Sequence, residues 1–135
     1  MVVDSILSRT NSDVGFSSFL SGGVDSGVIA AVLAENYDLQ TYTVKVGTGR
    51  FDESGRAAFL SKKLGFKNSI IELSSEMDSS MLNNAIDASD EPFADSSLVS
   101  SFSLFKRVSK TGHKVFLSGD GGDELFAGYL KHLHL

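Results

Sequence analysis

Ser21-Gly22-Gly23-Val24-Asp25-Ser26 stands between an apolar, β-prone run, Phe16 to Leu20, and an Ala/Val/Leu-rich helical run, Val28 to Ala34. The order is strand, glycine turn, helix start. Two glycines let the backbone approach a ligand closely, the first amides of the helix lack partners within it, and the helix dipole adds partial positive charge. Such a turn suits a phosphate.

On the far side of this turn, helices and strands alternate. The pattern predicts a first helix from about Val24 to Asn36, apolar on most sides and so well buried. Thr41 to Val46 alternates and is β-branched, a second strand ended by Gly47 and Gly49. From about Asp52 to Leu64 a helix carries Ala57, Leu60 and Leu64 on one face, Lys62 and Lys63 in its last turn and Gly65 as its stop. Lys67 to Leu73 reads as a third strand. Ser74 or Ser75 caps a helix with Met77, Met81, Leu82, Ala85 and Ile86 at helical spacing, and Ser89 to Asp95 is a polar loop with the single proline. Another helix runs from Ser96, places Leu98, Phe102, Phe105 and Val108 together and ends near Thr111-Gly112. Lys114 to Leu117 is a fourth strand. Ser118-Gly119-Asp120-Gly121-Gly122-Asp123-Glu124 follows, then a last helix with Leu125, Phe126 and Tyr129. Before Gly15 the pattern is too weak to place, although Val2, Val3, Ile6 and Leu7 share a helical face.

This alternation implies an α/β fold: a parallel sheet with helices on both faces, a Rossmann-like three-layer α/β/α sandwich with right-handed crossovers. Ligands in such sheets bind at the carboxyl ends of the strands, near the point where strand order reverses. Both glycine-rich turns, 21 to 26 and 118 to 124, are expected there, facing one cleft.

Composition narrows the function classes. The 135 residues, 41% hydrophobic, suit one modest core and a single domain. A net charge of −5, with 12 Lys and Arg spread along the chain, argues against a nucleic-acid or membrane surface. The absence of cysteine excludes disulfides and thiolate zinc sites. Neither a signal-peptide pattern nor an 18-residue apolar run is present, so a cytoplasmic protein is expected.

The first turn is neither Gly-x-x-x-x-Gly-Lys-Ser/Thr nor Gly-x-Gly-x-x-Gly. What remains is a cradle of amides, hydroxyls at Ser21 and Ser26, and Asp25. A carboxylate beside phosphate makes chemical sense mainly when Mg²⁺ lies between. The second turn repeats the theme with Asp120, Asp123 and Glu124, and carboxylates across a phosphate cleft hold Mg²⁺ during nucleotidyl transfer. Each turn alone also fits a capped, solvated helix start; their coincidence favours the cleft. Ser21 lacks the Gly-x-Ser-x-Gly elbow of a hydrolase nucleophile, and His132 and His134, two apart on a helix, do not converge on a metal.

Phe19-Leu20-Ser21-Gly22-Gly23-Val24-Asp25-Ser26 resembles the pyrophosphate-binding loop of the N-type ATP pyrophosphatases, the PP-loop enzymes of adenine nucleotide alpha hydrolase-like fold. Asp90-Glu91-Pro92-Phe93-Ala94-Asp95-Ser96-Ser97 and Leu117 to Tyr129 then resemble the synthetase domain of glutamine-dependent asparagine synthetases, in the right order. The first motif alone is shared with GMP and argininosuccinate synthetases. The resemblance implies a ligase that attacks ATP with a carboxylate, forms an acyl-adenylate and pyrophosphate, and lets ammonia displace AMP. By position, the main chain at Phe19, Val44, Ser118 and Gly119 would hold adenosine, and Ser21, Gly22, Gly23 and Ser26 the pyrophosphate. Asp25 and Asp123 would bind Mg²⁺. Asp120 would be the catalytic residue, at a position where the family places an acidic side chain near the reacting acyl-adenylate.

The chain departs from the family pattern in several places. No glutaminase domain with its cysteine nucleophile precedes the motifs, so ammonia is expected free or from a separate glutaminase partner. The family's catalytic lysine lies further downstream than Lys131, and a domain incomplete at its C-terminus is expected. Gly27 replaces a usual serine and Lys45 a usual glycine, both near the expected nucleotide. Two function classes follow: an ATP-dependent amide-forming ligase acting on aspartate or a related carboxylate, including β-lactam-forming or peptide-cyclising relatives, or a catalytically incomplete nucleotide-binding or interaction module of the same descent.

Overall fold

The computed structural model of the protein describes residues 1–46, 52–73, 79–91, 95 and 97–129. Helix α1 (Val2–Ser8) precedes β1 (Phe16–Phe19), and α2 (Val24–Asn36) leads to β2 (Gln40–Val46). Helix α3 (Ser54–Leu64), β3 (Lys67–Leu73), α4 (Ser79–Asp87), α5 (Ser97–Val108), β4 (Val115–Leu117) and the short α6 (Gly122–Phe126) follow. The strands form one sheet in the order β3-β2-β1-β4, every neighbouring pair parallel. The chain therefore moves outward from β1 to β3 and returns to the other side of β1, which puts the switch point between β1 and β4.

Alternation along β1 divides the layers. Phe16 and Leu20 face one way and join Ile6, Ala30, Leu33, Leu39 and Ala57 in a core beneath α1, α2 and α3. Fully burying a leucine such as Leu20 or Leu33 contributes roughly 1.5–3 kcal/mol. Phe19 faces the opposite way, stacks on Phe116 at 5.0 Å and meets Phe105 of α5 edge-on at 5.9 Å. Both faces of the sheet are thus covered, as the alternation of elements implied.

Three local expectations change. Residues 2 to 8, too weakly patterned to place from sequence, form α1, and of the four apolar residues Val2, Val3, Ile6 and Leu7 only Ile6 is buried. Helix α2 is not buried all round: Ser26, Gly27, Ala30 and Leu33 face inward, whereas Val24 is 80% exposed and Val28 is exposed. Glycine stands at position 27 where α3 packs closely; a Cβ there would stand 3.1 Å from Leu60 Cδ2. Helix α6 ends before Tyr129, closed by Ala127 in the left-handed region (φ 57°) and by the Gly128 amide on the Asp123 carbonyl. The expected stop of α3 at Gly65 is present, with φ 78°. Gly47, Gly49, the Ser74 or Ser75 cap, Met77, Pro92 and Lys131, His132 and His134 lie outside the described residues.

Candidate functional site

Leu20 donates its amide to the Tyr42 carbonyl (2.9 Å), and Thr43 Oγ1 donates to the Leu20 carbonyl (2.7 Å), so the end of β1 is held firmly where the first turn begins. Gly22 then takes φ 79°, a conformation that favours glycine. The Gly23 amide donates to Ser21 Oγ (3.1 Å), and the hydroxyls of Ser21 and Ser26 lie 3.0 Å apart. Gly23 is the N-cap of α2 and, among the described residues, no side-chain hydrogen bond caps the helix start.

The second turn follows β4 in the same sense. Ser118 Oγ donates to Asp120 Oδ2 (2.8 Å), Gly121 takes φ 90°, and the Gly122 amide bonds to the Gly119 carbonyl (3.1 Å) before α6 begins. The two turns touch. A Cβ at Gly119 would lie 3.1 Å from the Ser26 nitrogen and 3.2 Å from Asp25 Cβ, and one at Gly122 would fall 2.6 Å from Asp25 Cγ. Glycine at these positions is what lets the second backbone rest on the first.

Between them lies a cleft of about 560 Å³. Of the sequence-predicted residues, Phe19, Ser21, Gly23, Asp25, Ser26, Val44, Ser118, Gly119, Asp120 and Asp123 line it. Gly22 is not part of the lining; it turns instead against Arg56 and Ala57 at the start of α3. Tyr42, Glu53, Phe105 and Phe116 line the cleft without having been anticipated. Strand parity was the available signal for two of them, since Tyr42 shares a face with Val44, and Phe116 is the apolar centre of β4. Gly27 and Lys45, expected near the nucleotide, do not line the cleft: Gly27 packs on α3, and Lys45 Nζ pairs with Glu72 Oε1 at 3.2 Å.

The electrostatics are one-sided. Asp25, Glu53, Asp120 and Asp123 line the cleft, and among the described residues no Lys or Arg does. A polyphosphate entering such a cleft needs accompanying cations. No group of three acidic or histidine side chains gathers into a metal cage among the described residues. Mg²⁺ does not require one: it takes one or two carboxylates, keeps water and completes its shell with phosphate oxygens, and Asp25 and Asp123 on facing turns fit that donor set. Two titrations lie at the margins. The Ser54 side chain, then its amide, holds the Asp52 carboxyl below its usual range. Tyr129 donates to Glu124 Oε1 (2.6 Å), and this bond, followed by the charges of Glu124, Asp123 and Asp120, pushes the phenol above its usual range.

Two glycine turns at the switch point of a parallel sheet define an α/β domain of the PP-loop, adenine nucleotide alpha hydrolase-like fold. An NH3-dependent NAD synthetase from Campylobacter jejuni shares that fold, with a TM-score of 0.59 at 23% identity over 94% of this chain and 57% of that one. The asparagine synthase family model matches residues 1–135, and the chain belongs to that family. It is similar to asparagine synthetase (glutamine-hydrolysing) 1 of Bacillus subtilis, 35% identical over 129 residues, 95% of this chain and 20% of that protein. It is also similar to amidase chyE of Penicillium rubens, 29% identical over 95% of this chain and 21% of that protein. The chain spans between 19% and 26% of the length of the first curated relatives it matches. Among the described residues no helix is long and apolar enough to cross a membrane.

Proposed function

We propose that this chain is the adenylating part of an ATP-dependent carbon–nitrogen ligase of the asparagine synthase type. The observation that carries the reading is the contact of two glycine turns across the switch point, which puts an open helix N-terminus and a set of carboxylates on one cleft. In this reading the first-turn amides with the Ser21 and Ser26 hydroxyls hold the pyrophosphate portion of ATP. The main chain at Phe19, Val44, Ser118 and Gly119 holds adenosine, and Tyr42 and Phe116 add flat apolar wall.

Asp25 and Asp123 would hold Mg²⁺, which when bound offsets charge on the bridging oxygens. Asp120, whose Oδ2 accepts from Ser118 Oγ, would lie near the reacting acyl-adenylate. No protein nucleophile is needed, because carboxylate attack on the α-phosphate is helped by positioning and by electrostatic stabilisation of the spreading negative charge. The substrate is aspartate or a related carboxylate, ammonia displaces AMP, and a separate glutaminase is a fitting source of that ammonia.

Incubation with aspartate, ATP, Mg²⁺ and labelled pyrophosphate tests this directly. Labelled ATP is expected, and a panel of other carboxylates then ranks the substrates. ATP binding with no exchange for any carboxylate would instead favour the catalytically incomplete module.

A further inference from the structure

The cleft carries four carboxylates and no described Lys or Arg in its lining, yet a cation, Arg56, is paired with one of those carboxylates. Arg56 stands in the first turn of α3, and its Cβ lies where a side chain on Gly22 would have to go, at 2.7 Å from a Cβ built there. Its guanidinium Nη2 donates to Glu53 Oε1 at 2.6 Å, and Glu53 is a lining residue of the cleft. Glu53 makes no side-chain cap to α3; the Ser54 amide is taken by Asp52 Oδ1 at 2.9 Å. The Glu53 carboxylate is therefore engaged with Arg56 rather than with the helix end.

We propose that Arg56 is a second-line contact for pyrophosphate, parked on Glu53 until the anion occupies the 21–26 turn. This rests on the reading above, in which that turn binds the leaving group. The ion pair is largely solvated, with Arg56 and Glu53 side chains 66% and 39% exposed, so exchanging partners costs little. A pyrophosphate presents more charge than one carboxylate and accepts the guanidinium fork in two bonds. Glu53 thus sets the threshold, keeping the cation off the cleft when no polyanion is present. Arg56 supplies positive charge on the α3 side of the turn, where Asp25 and Asp123 supply only negative charge.

Isothermal titration of inorganic pyrophosphate with Mg²⁺ into the wild-type chain and three variants tests the assignment, with thermal melts to verify folding. Arg56→Gln is expected to weaken binding about tenfold, the loss of a charge-assisted pair, and Arg56→Lys to recover part of it. Glu53→Gln is expected to tighten binding by about threefold, because the guanidinium no longer has a competing carboxylate. A merely structural pair predicts the opposite sign for Glu53→Gln, a weakening together with a lower melting temperature, and that result overturns the proposal. Unchanged pyrophosphate affinity in Arg56→Gln overturns it as well, while leaving the ligase reading intact. No pyrophosphate binding by the folded wild-type chain defeats both.

Discussion

Gly122 sets the position of the Asp25 carboxylate by having no side chain: a Cβ there would lie 2.6 Å from Asp25 Cγ and 2.9 Å from Oδ1. One turn's backbone is thereby the wall for the other turn's acid. Gly122→Ala is expected to push Asp25 aside and to weaken Mg²⁺-dependent ATP binding at least tenfold. Overpacking of this kind costs about 1–3 kcal/mol. Titration of ATP with and without Mg²⁺ checks it, and an unchanged metal dependence would show that Asp25 does not act through the metal.

Gly22→Ala carries two penalties, a left-handed backbone at φ 79° and a Cβ 2.9 Å from the Ala57 nitrogen. The obstruction is backbone, which cannot swing away. A loss of about 2–4 kcal/mol in unfolding free energy is expected, measured by urea denaturation. A cost below that of an ordinary surface substitution would mean that α3 shifts freely against the turn.

Ser17 and Ser18 sit side by side in β1, both fully buried, and make opposite predictions. Ser18 Oγ donates to the Leu117 carbonyl (3.1 Å), whereas Ser17 Oγ has no hydrogen-bond partner among the described residues. Ser18→Ala should destabilise the chain by about 1 kcal/mol, and Ser17→Ala should be neutral or stabilise it by a similar amount. Paired urea titrations of the two variants give the comparison.

Three groups give the chain a pH signature. Asp52 and Asp95 both have folded-state pKa values below the ordinary 3.8, Asp95 through the Ser97 amide and hydroxyl. Their stabilisation is complete above that value and is lost as the pH falls through the depressed folded values. Asp52→Asn and Asp95→Asn are therefore expected to flatten the acid limb of the stability curve and to change little else. Tyr129 behaves in the opposite sense: its phenol is raised above 10.0, so its bond to Glu124 contributes below that pH and fades as the pH climbs through the folded value. The difference in phenolate absorbance between wild type and Tyr129→Phe should isolate a group ionising above the ordinary tyrosine.

The layer arrangement was legible because each element's period is set by local chemistry: β-branched alternation in β2, and Gly65 and the lysines at the end of α3. The meeting of the two turns was legible from the general rule that parallel sheets place their loops on one edge. What sequence did not disclose depends on distances across the fold. The inward stripe of α2 is glycine at position 27 where α3 is close, and nothing within α2 announces its neighbour. Likewise Glu53, just before α3, and Tyr42, on β2, line the cleft, and the local pattern constrains only the parity of Tyr42.

The pairing of β1 with β4 has a kinetic consequence. Ser18 and Leu117 are bonded across 99 positions of sequence, and β4 contributes only three residues to hold them. The β1–α2–β2 and β2–α3–β3 units close over short spans, whereas this junction waits for the longest loop closure among the sheet pairings. Asp25 and Asp123 reach one cleft only through this junction, so a chain in which β4 has not docked on β1 would lack one wall of the cleft while its other strand pairings could still form.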